Sequence, residues 1–224
     1  MEIRLTSDRI PARYLGWLAS SRLKFLKDLI DGKPMRYFSA HLPVMATWPD
    51  ANNNGGGHYP VNMTVKGIGL VPGEESLSDF TDIFEGVIAQ ARTMPWEESL
   101  VMRIDAVAKL YGEVGHFDST VLGGLEIFEG SAIKNVRENP QASLLYVGMT
   151  SSEEGMQYIS FQVNGKVEIL EKDNPYYRFL LASRKLFEFD KFHIFQPDYP
   201  FGYLIRVREV KDKSPWSREL KRPD

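Results

Sequence analysis

Apolar positions along the first part of the chain recur with a helical period. Tyr14, Leu18, Phe25 and Leu29 fall on one face, with Leu15, Leu26 and Ile30 beside them, which predicts an amphipathic helix over residues 12–31. Pro11 suits its first position, Gly32 its stop, and Pro34 prevents continuation. The pattern then switches to strands at residues 35–48 and 59–71. Between them lies PDANNNGGGH, whose Asn and Gly residues supply positive φ for a long hairpin loop. In the second run Val61, Met63 and Val65 share one face, and Asn62, Thr64 and Lys66 the other. Two helices follow. The first carries the stripe Leu77, Phe80, Phe84, Val87 and Ala91 behind a Ser76–Asp79 capping pair. The second carries Trp96, Leu100, Ile104, Val107 and Tyr111 and closes at Gly112.

Strand character returns at residues 117–129, interrupted by Gly123-Gly124, a pair that marks a bulge, a bend or a close backbone approach. GSAIKNVRENP predicts a short helix with Ser131 near its start and Pro140 beyond its end. QASLLYVGM is an apolar strand, TSSEEG a turn, and MQYISFQVNGKVEIL a long strand or a bent hairpin around Asn164-Gly165. Asp173 or Asn174 caps the next helix, with Pro175 in its first turn. GYLIRVREV ends the pattern as a strand. Hairpin-joined strands with helices inserted between them predict one α+β domain over residues 1–224: an antiparallel barrel or sandwich, with a helical insertion at about 72–116.

Composition narrows the function. With 27 Lys and Arg against 30 Asp and Glu, the net charge is -3, which argues against a broad electrostatic grip on nucleic acid but leaves room for a local basic site. The absence of cysteine removes disulfides, thiolate metal sites and cysteine nucleophiles together. The 13 Phe, 10 Tyr and 4 Trp either fill a large β core or line a flat pocket. Arg9, Arg13, Arg22 and Lys24 break up the N-terminal segment, so no signal peptide or membrane span is expected and the protein is read as cytoplasmic.

No dinucleotide fingerprint, Walker loop or nucleophile elbow is present. Of the histidines, His41, His58, His116 and His193, only His116 has a neighbouring ligand type, in Asp118, and two residues make no metal site. What remains is a polar cluster. Ser131 sits at a helix start with Lys134 and Asn135 on the same turn and Arg137 close by. Thr64 and Lys66 come from the early strand, and Arg184 and Lys185 from the late helix. Cations beside a helix N-terminus suit one phosphomonoester; the competing reading is an ordinary charged surface.

LEIFEGSAIKNVRENPQASLLYV followed by ISFQVNGKVEIL resembles the flavin-binding split-barrel family that includes pyridoxamine 5′-phosphate oxidase. The matching parts are Phe128, Ser131 to Val136, Asn139-Pro140, Ala142 to Val147 and Gly165 to Leu170, within residues 125–170. PVNMTVKG is similar to the family strand that sends an Arg and a Lys to the flavin phosphate. Lys66 matches there. The family's Arg falls on Val61 or Asn62, and its later Lys on Ala132.

The resemblance implies an α+β antiparallel split β-barrel with peripheral helices and a two-helix insertion. It also implies an FMN-dependent oxidoreductase of unknown substrate, built as a homodimer with two flavin sites between the subunits. Thr64, Lys66, Ser131, Lys134 and Asn135 would hold the phosphate and ribityl groups, and Trp216 or Arg218 from the partner's tail would close over the ring. No catalytic side chain is assigned, because the flavin carries the redox step. Two alternatives stay open. One is a non-catalytic binding or assembly protein that keeps the barrel without flavin, suggested by Ala132 and the inserted helices. The other is a related haem- or deazaflavin-binding barrel, with His116 or His193 serving haem.

Overall fold

The computed structural model describes residues 4–5, 7–33, 40–50, 59–152, 155–187 and 199–215. Among them, eight strands form one antiparallel sheet: β1 (Arg4–Leu5), β2 (Val44–Thr47), β3 (Asn62–Val65), β4 (Ile68–Pro72), β5 (Phe117–Glu126), β6 (Gln141–Ser152), β7 (Gly155–Leu170) and β8 (Phe201–Asp212). The helices are α1 (Ala12–Ile30), α2 (Glu74–Ala91), α3 (Trp96–Tyr111), α4 (Ser131–Glu138) and α5 (Pro175–Lys185). None of the described helices is long and apolar enough to cross a membrane.

The sheet closes on itself. Its path runs β3-β2-β6-β7-β8-β5-β4, with β1 added on β8. The two ends, β3 and β4, are consecutive in the chain and separated only by Lys66 and Gly67. The Lys66 amide donates to Pro43 O at 3.2 Å and the Ile68 amide to His41 O at 3.1 Å, so pairing with the β2 side continues to the point where β4 takes up β5. One run of chain is therefore both the first and the last stave, and the α+β fold is an antiparallel split barrel with peripheral helices.

Alternation along β6 and β7 fills the interior. Ala142, Leu144 and Tyr146 face inward, as do Ile159, Phe161 and Val163. Phe161 is the centre of an aromatic stack, 4.1 Å from the Tyr14 ring and 4.8 Å from the Tyr146 ring, with Trp17 edge-on at 5.9 Å. Tyr14 and Trp17 belong to α1, which explains its apolar face: the helix covers the barrel interior.

The inserted helices α2 and α3 pack on α5 and α1 over the β4–β5–β8 side. Phe84 stacks on Phe179 at 5.7 Å, Arg178 bonds Asp82 and Glu85, and Arg103 donates to Leu186 O at 2.8 Å. Helix α5 seats closely where β5 carries Gly123: a Cβ there would lie 2.6 Å from Val71 and 3.0 Å from Leu180. Close approach is thus the role of the glycine pair.

Several local expectations change. Helix α2 begins at Glu74 behind Gly73, without the Ser76–Asp79 cap; Glu74 and Glu75 in its first turn meet the helix dipole instead. Asn174 does cap α5, its side chain accepting from the Tyr176 amide at 2.9 Å. The Asn164-Gly165 pair lies within the single strand β7, opposite a bulge in β8, and is not a hairpin turn. The 59–71 run breaks into β3 and β4, and among the described residues of the 35–48 run the strand covers 44–47. The NNNGGG stretch lies outside the described residues.

Candidate functional site

The barrel mouth beside β2 and β3 collects part of the predicted cluster. Helix α4 packs against both strands and turns Ala132, Ile133 and Val136 inward. Asn135 Nδ2 donates to Thr47 Oγ1 at 3.3 Å, tying the helix to a fully buried residue of β2. Thr64 pairs across from buried Met45, so Thr64 and Lys66 point into the mouth. Ser131 and Lys134 lie on the exposed face of α4. Ala132, where the family places a lysine, is packed in the core.

The charge at the mouth is already matched. Lys66 Nζ donates to Glu126 Oε1 from the end of β5. The Lys66 side chain is 15% exposed and that of Glu126 3%, so this is a buried ion pair. A phosphate brought to Lys66 would meet the Glu126 carboxylate in a place with little water to screen it. Among the remaining candidates that lie in the described residues, only Ser131 and Lys134 are open to an anion, and they face solvent. As placed, Lys66 is therefore not free to take a flavin phosphate. Glu126 went unnoticed in the sequence because its partner is sixty positions away. The signal available was an acid at the end of an otherwise apolar strand.

Outside the barrel the pattern on β3 is inverted. Val61, Met63 and Val65 face solvent, with Met63 66% exposed. The same outer surface continues through Val44 and Ala46 on β2, Leu145, Val147 and Met149 on β6, and Met156 and Tyr158 on β7. A contiguous apolar sheet face of this kind is unusual on a chain that stays alone.

Next to it, where β6, β7 and β8 run side by side, lies a cleft of about 820 Å3. Trp48, Ser143, Gln162, Asn164, Lys166 and Arg208 are among the residues that line it. None of these was singled out in the sequence as a site residue. The alternation of Gln162, Asn164 and Lys166 on one face of a strand was the available sign.

Other candidates are separately engaged. His116 Nδ1 donates to Leu110 O at 3.2 Å and its ring packs 4.9 Å from Phe80, while Asp118 accepts from the Thr120 amide and hydroxyl. Among the described residues no cluster of metal-ligating side chains occurs. Arg184 Nε donates to Tyr199 OH at 3.0 Å, away from the mouth. His41 sits with Arg22, Gly69 and Tyr111, and burial together with the Arg22 and Arg184 charges pushes its ring down to about 3. Trp216, Arg218, His58 and His193 lie outside the described residues.

No family model and no curated protein matches the sequence. Solved structures do. A protein from Lactobacillus delbrueckii described as a candidate pyridoxamine 5′-phosphate oxidase is 14% identical, with 94% of this chain and 98% of that one covered at a TM-score of 0.40. An FMN-binding protein from Syntrophomonas wolfei is 10% identical over 90% and 92%, at 0.41. HutZ, a haem storage protein from Vibrio cholerae, is 10% identical over 78% and 88%, at 0.37. The likeness is loose, and the architecture rests on the strand pairing of the chain itself.

Proposed function

We propose that this protein is a homodimeric split-barrel binding protein whose barrel mouth does not hold a flavin phosphate. The observation that carries the reading is the buried Lys66–Glu126 pair. It cancels the one strand cation that the flavin-binding pattern places correctly, and Ala132 is buried where a second would stand. The second subunit is argued from the apolar outer face of β3, β2, β6 and β7, which the helices leave uncovered. The helical insertion lies on the opposite side and seals the core, so it does not compete for that face.

A second reading, an FMN-dependent oxidoreductase, is favoured by the meeting of Thr64, Lys66 and Asn135 at one mouth beneath the start of α4. It requires Lys66 to leave Glu126. The absorbance spectrum of the purified protein and a titration with FMN separate the two. The binding-protein reading expects no flavin band and no saturable FMN binding, with Glu126→Gln the variant in which Lys66 is released. Stoichiometric FMN on the unaltered protein would overturn it.

A further inference from the structure

The cleft over β6, β7 and β8 has the volume of a small-molecule site, which typically spans roughly 300–1,000 Å3. Its floor is a fixed polar network. Ser143 Oγ donates to Asn164 Oδ1 at 2.8 Å, and Gln162 Nε2 donates to Ser143 Oγ and to Asn164 Oδ1, each at 2.8 Å. Asn164 Nδ2 donates to Glu209 Oε2 at 2.6 Å, and Lys211 Nζ lies 3.4 Å from the same oxygen. Four side chains from three strands thus hold one another in place, and the Glu209 charge is met by Lys211.

The cations over this floor are differently placed. Asn164 pairs with Glu209 and Gly165 with Val207, which leaves Arg208 as an extra residue on β8. A bulge re-aims the residue it adds, and Arg208 lines the cleft. The bulge needs Gly165: a Cβ there would lie 2.6 Å from Arg206 O and 2.7 Å from Ile205 Cγ2. Lys166, the next residue on β7, lines the cleft as well. Among the described residues neither Lys166 nor Arg208 makes an ion pair, in contrast to neighbouring Arg206, which is bound to Glu168 at 3.1 Å. Trp48 stands at the rim, half-buried and with no ring contact to another described aromatic.

We infer that this cleft binds a planar ring bearing an anionic group, a carboxylate or a phosphate monoester. The Trp48 indole covers the ring face, the Gln162–Asn164 network meets polar atoms at the ring edge, and Lys166 and Arg208 take the anion. The inference goes beyond the reading above and does not depend on it. The cleft is separate from the mouth, so FMN held at Lys66 would defeat that reading and leave this one standing.

Calorimetric titration of the full chain with naphthoate, naphthyl phosphate and neutral naphthylmethanol tests it. At least one anionic probe is expected to bind saturably and about tenfold or more tighter than the alcohol. Preference for the phosphate assigns a dianion to the site, and preference for naphthoate a carboxylate. The exposed pair Lys166→Gln with Arg208→Gln should lose about tenfold or more in affinity for the preferred probe. Trp48→Ala should weaken it, and Trp48→Phe should retain most of it. Absence of saturable binding by both anions, equal binding of the alcohol, or an unaffected double variant would each overturn the proposal.

Discussion

Lys66, between β3 and β4, and Glu126, at the end of β5, form an ion pair that joins both halves of the closing stave to the barrel interior. Removing one partner leaves the other charge buried and uncompensated. Lys66→Met alone is expected to cost about 3 kcal/mol of folding stability, and Lys66→Met with Glu126→Leu to recover much of that loss. Urea denaturation of the single and double variants checks it. Additive losses would show that the pair is not coupled.

His41 gives the acid limb of stability a particular slope. Its folded-state pKa lies at about 3, below the ordinary 6.5. As pH falls through about 6.5 the unfolded chain gains a proton on His41 and the folded chain does not. Its contribution is therefore full above about 6.5 and is lost as pH falls toward about 3, at no more than ~1.4 kcal/mol per pH unit. His41→Gln should flatten stability against pH across that window, and an unchanged slope would refute the assignment.

Tyr146 and Tyr203 carry buried hydroxyls with no hydrogen-bond partner, and burial raises both pKa values. Deleting an unsatisfied hydroxyl removes a desolvation cost and no bond. Tyr146→Phe and Tyr203→Phe should be neutral or stabilising by up to about 1 kcal/mol, whereas Tyr146→Ala should cost about 3–5 kcal/mol through the cavity it leaves. Thermal melts of the three variants measure this. A clear loss in the Phe variants would mean that the hydroxyls are bonded in solution.

Two glycine substitutions should move stability in opposite directions. At Gly165 a new Cβ meets backbone at 2.6 Å, and at Gly16, inside α1, it meets nothing within 4 Å. Gly165→Ala is expected to destabilise by about 2 kcal/mol. Gly16→Ala should stabilise by roughly 0.5–1 kcal/mol, by improved helix propensity. Chemical denaturation midpoints provide the comparison.

Met63 and Met149 lie on the apolar outer face, each at least half exposed in the single chain. Size-exclusion chromatography with light scattering should find a dimer. Met63→Asp with Met149→Asp should give a monomer of unchanged circular dichroism, because neither side chain enters the core. A variant that remains dimeric would place the subunit contact elsewhere.

The helices and long strands were legible because burial imposes a period. Tyr14 and Leu18 mark α1, and the alternation of Ile159, Phe161 and Val163 marks β7. The aromatic surplus is now largely explained: Tyr14, Tyr146, Phe161, Phe84 and Phe179 are packed in the interior, while Phe128 and Tyr158 are exposed. The site was harder to read. Alternation separated Thr64 and Lys66 from Met63 and Val65 but could not say which face looks inward, since on β3 the apolar face is the solvent face. The Lys66–Glu126 pair depends on ring closure, and Arg208 is aimed by a bulge. Both are long-range consequences of strand pairing that no local window contains.

The shared stave also constrains the order of assembly. Residues 62–72 must meet residues 41–47 on one side and residues 117–126 on the other, with the α2–α3 insertion lying in the second loop. The β6–β7 hairpin needs only a short turn. Loop closure favours the hairpin as an early nucleus and makes circumferential closure a late event. Late closure would bring Lys66 to Glu126 only once the ring is complete, so their contact reports the finished barrel.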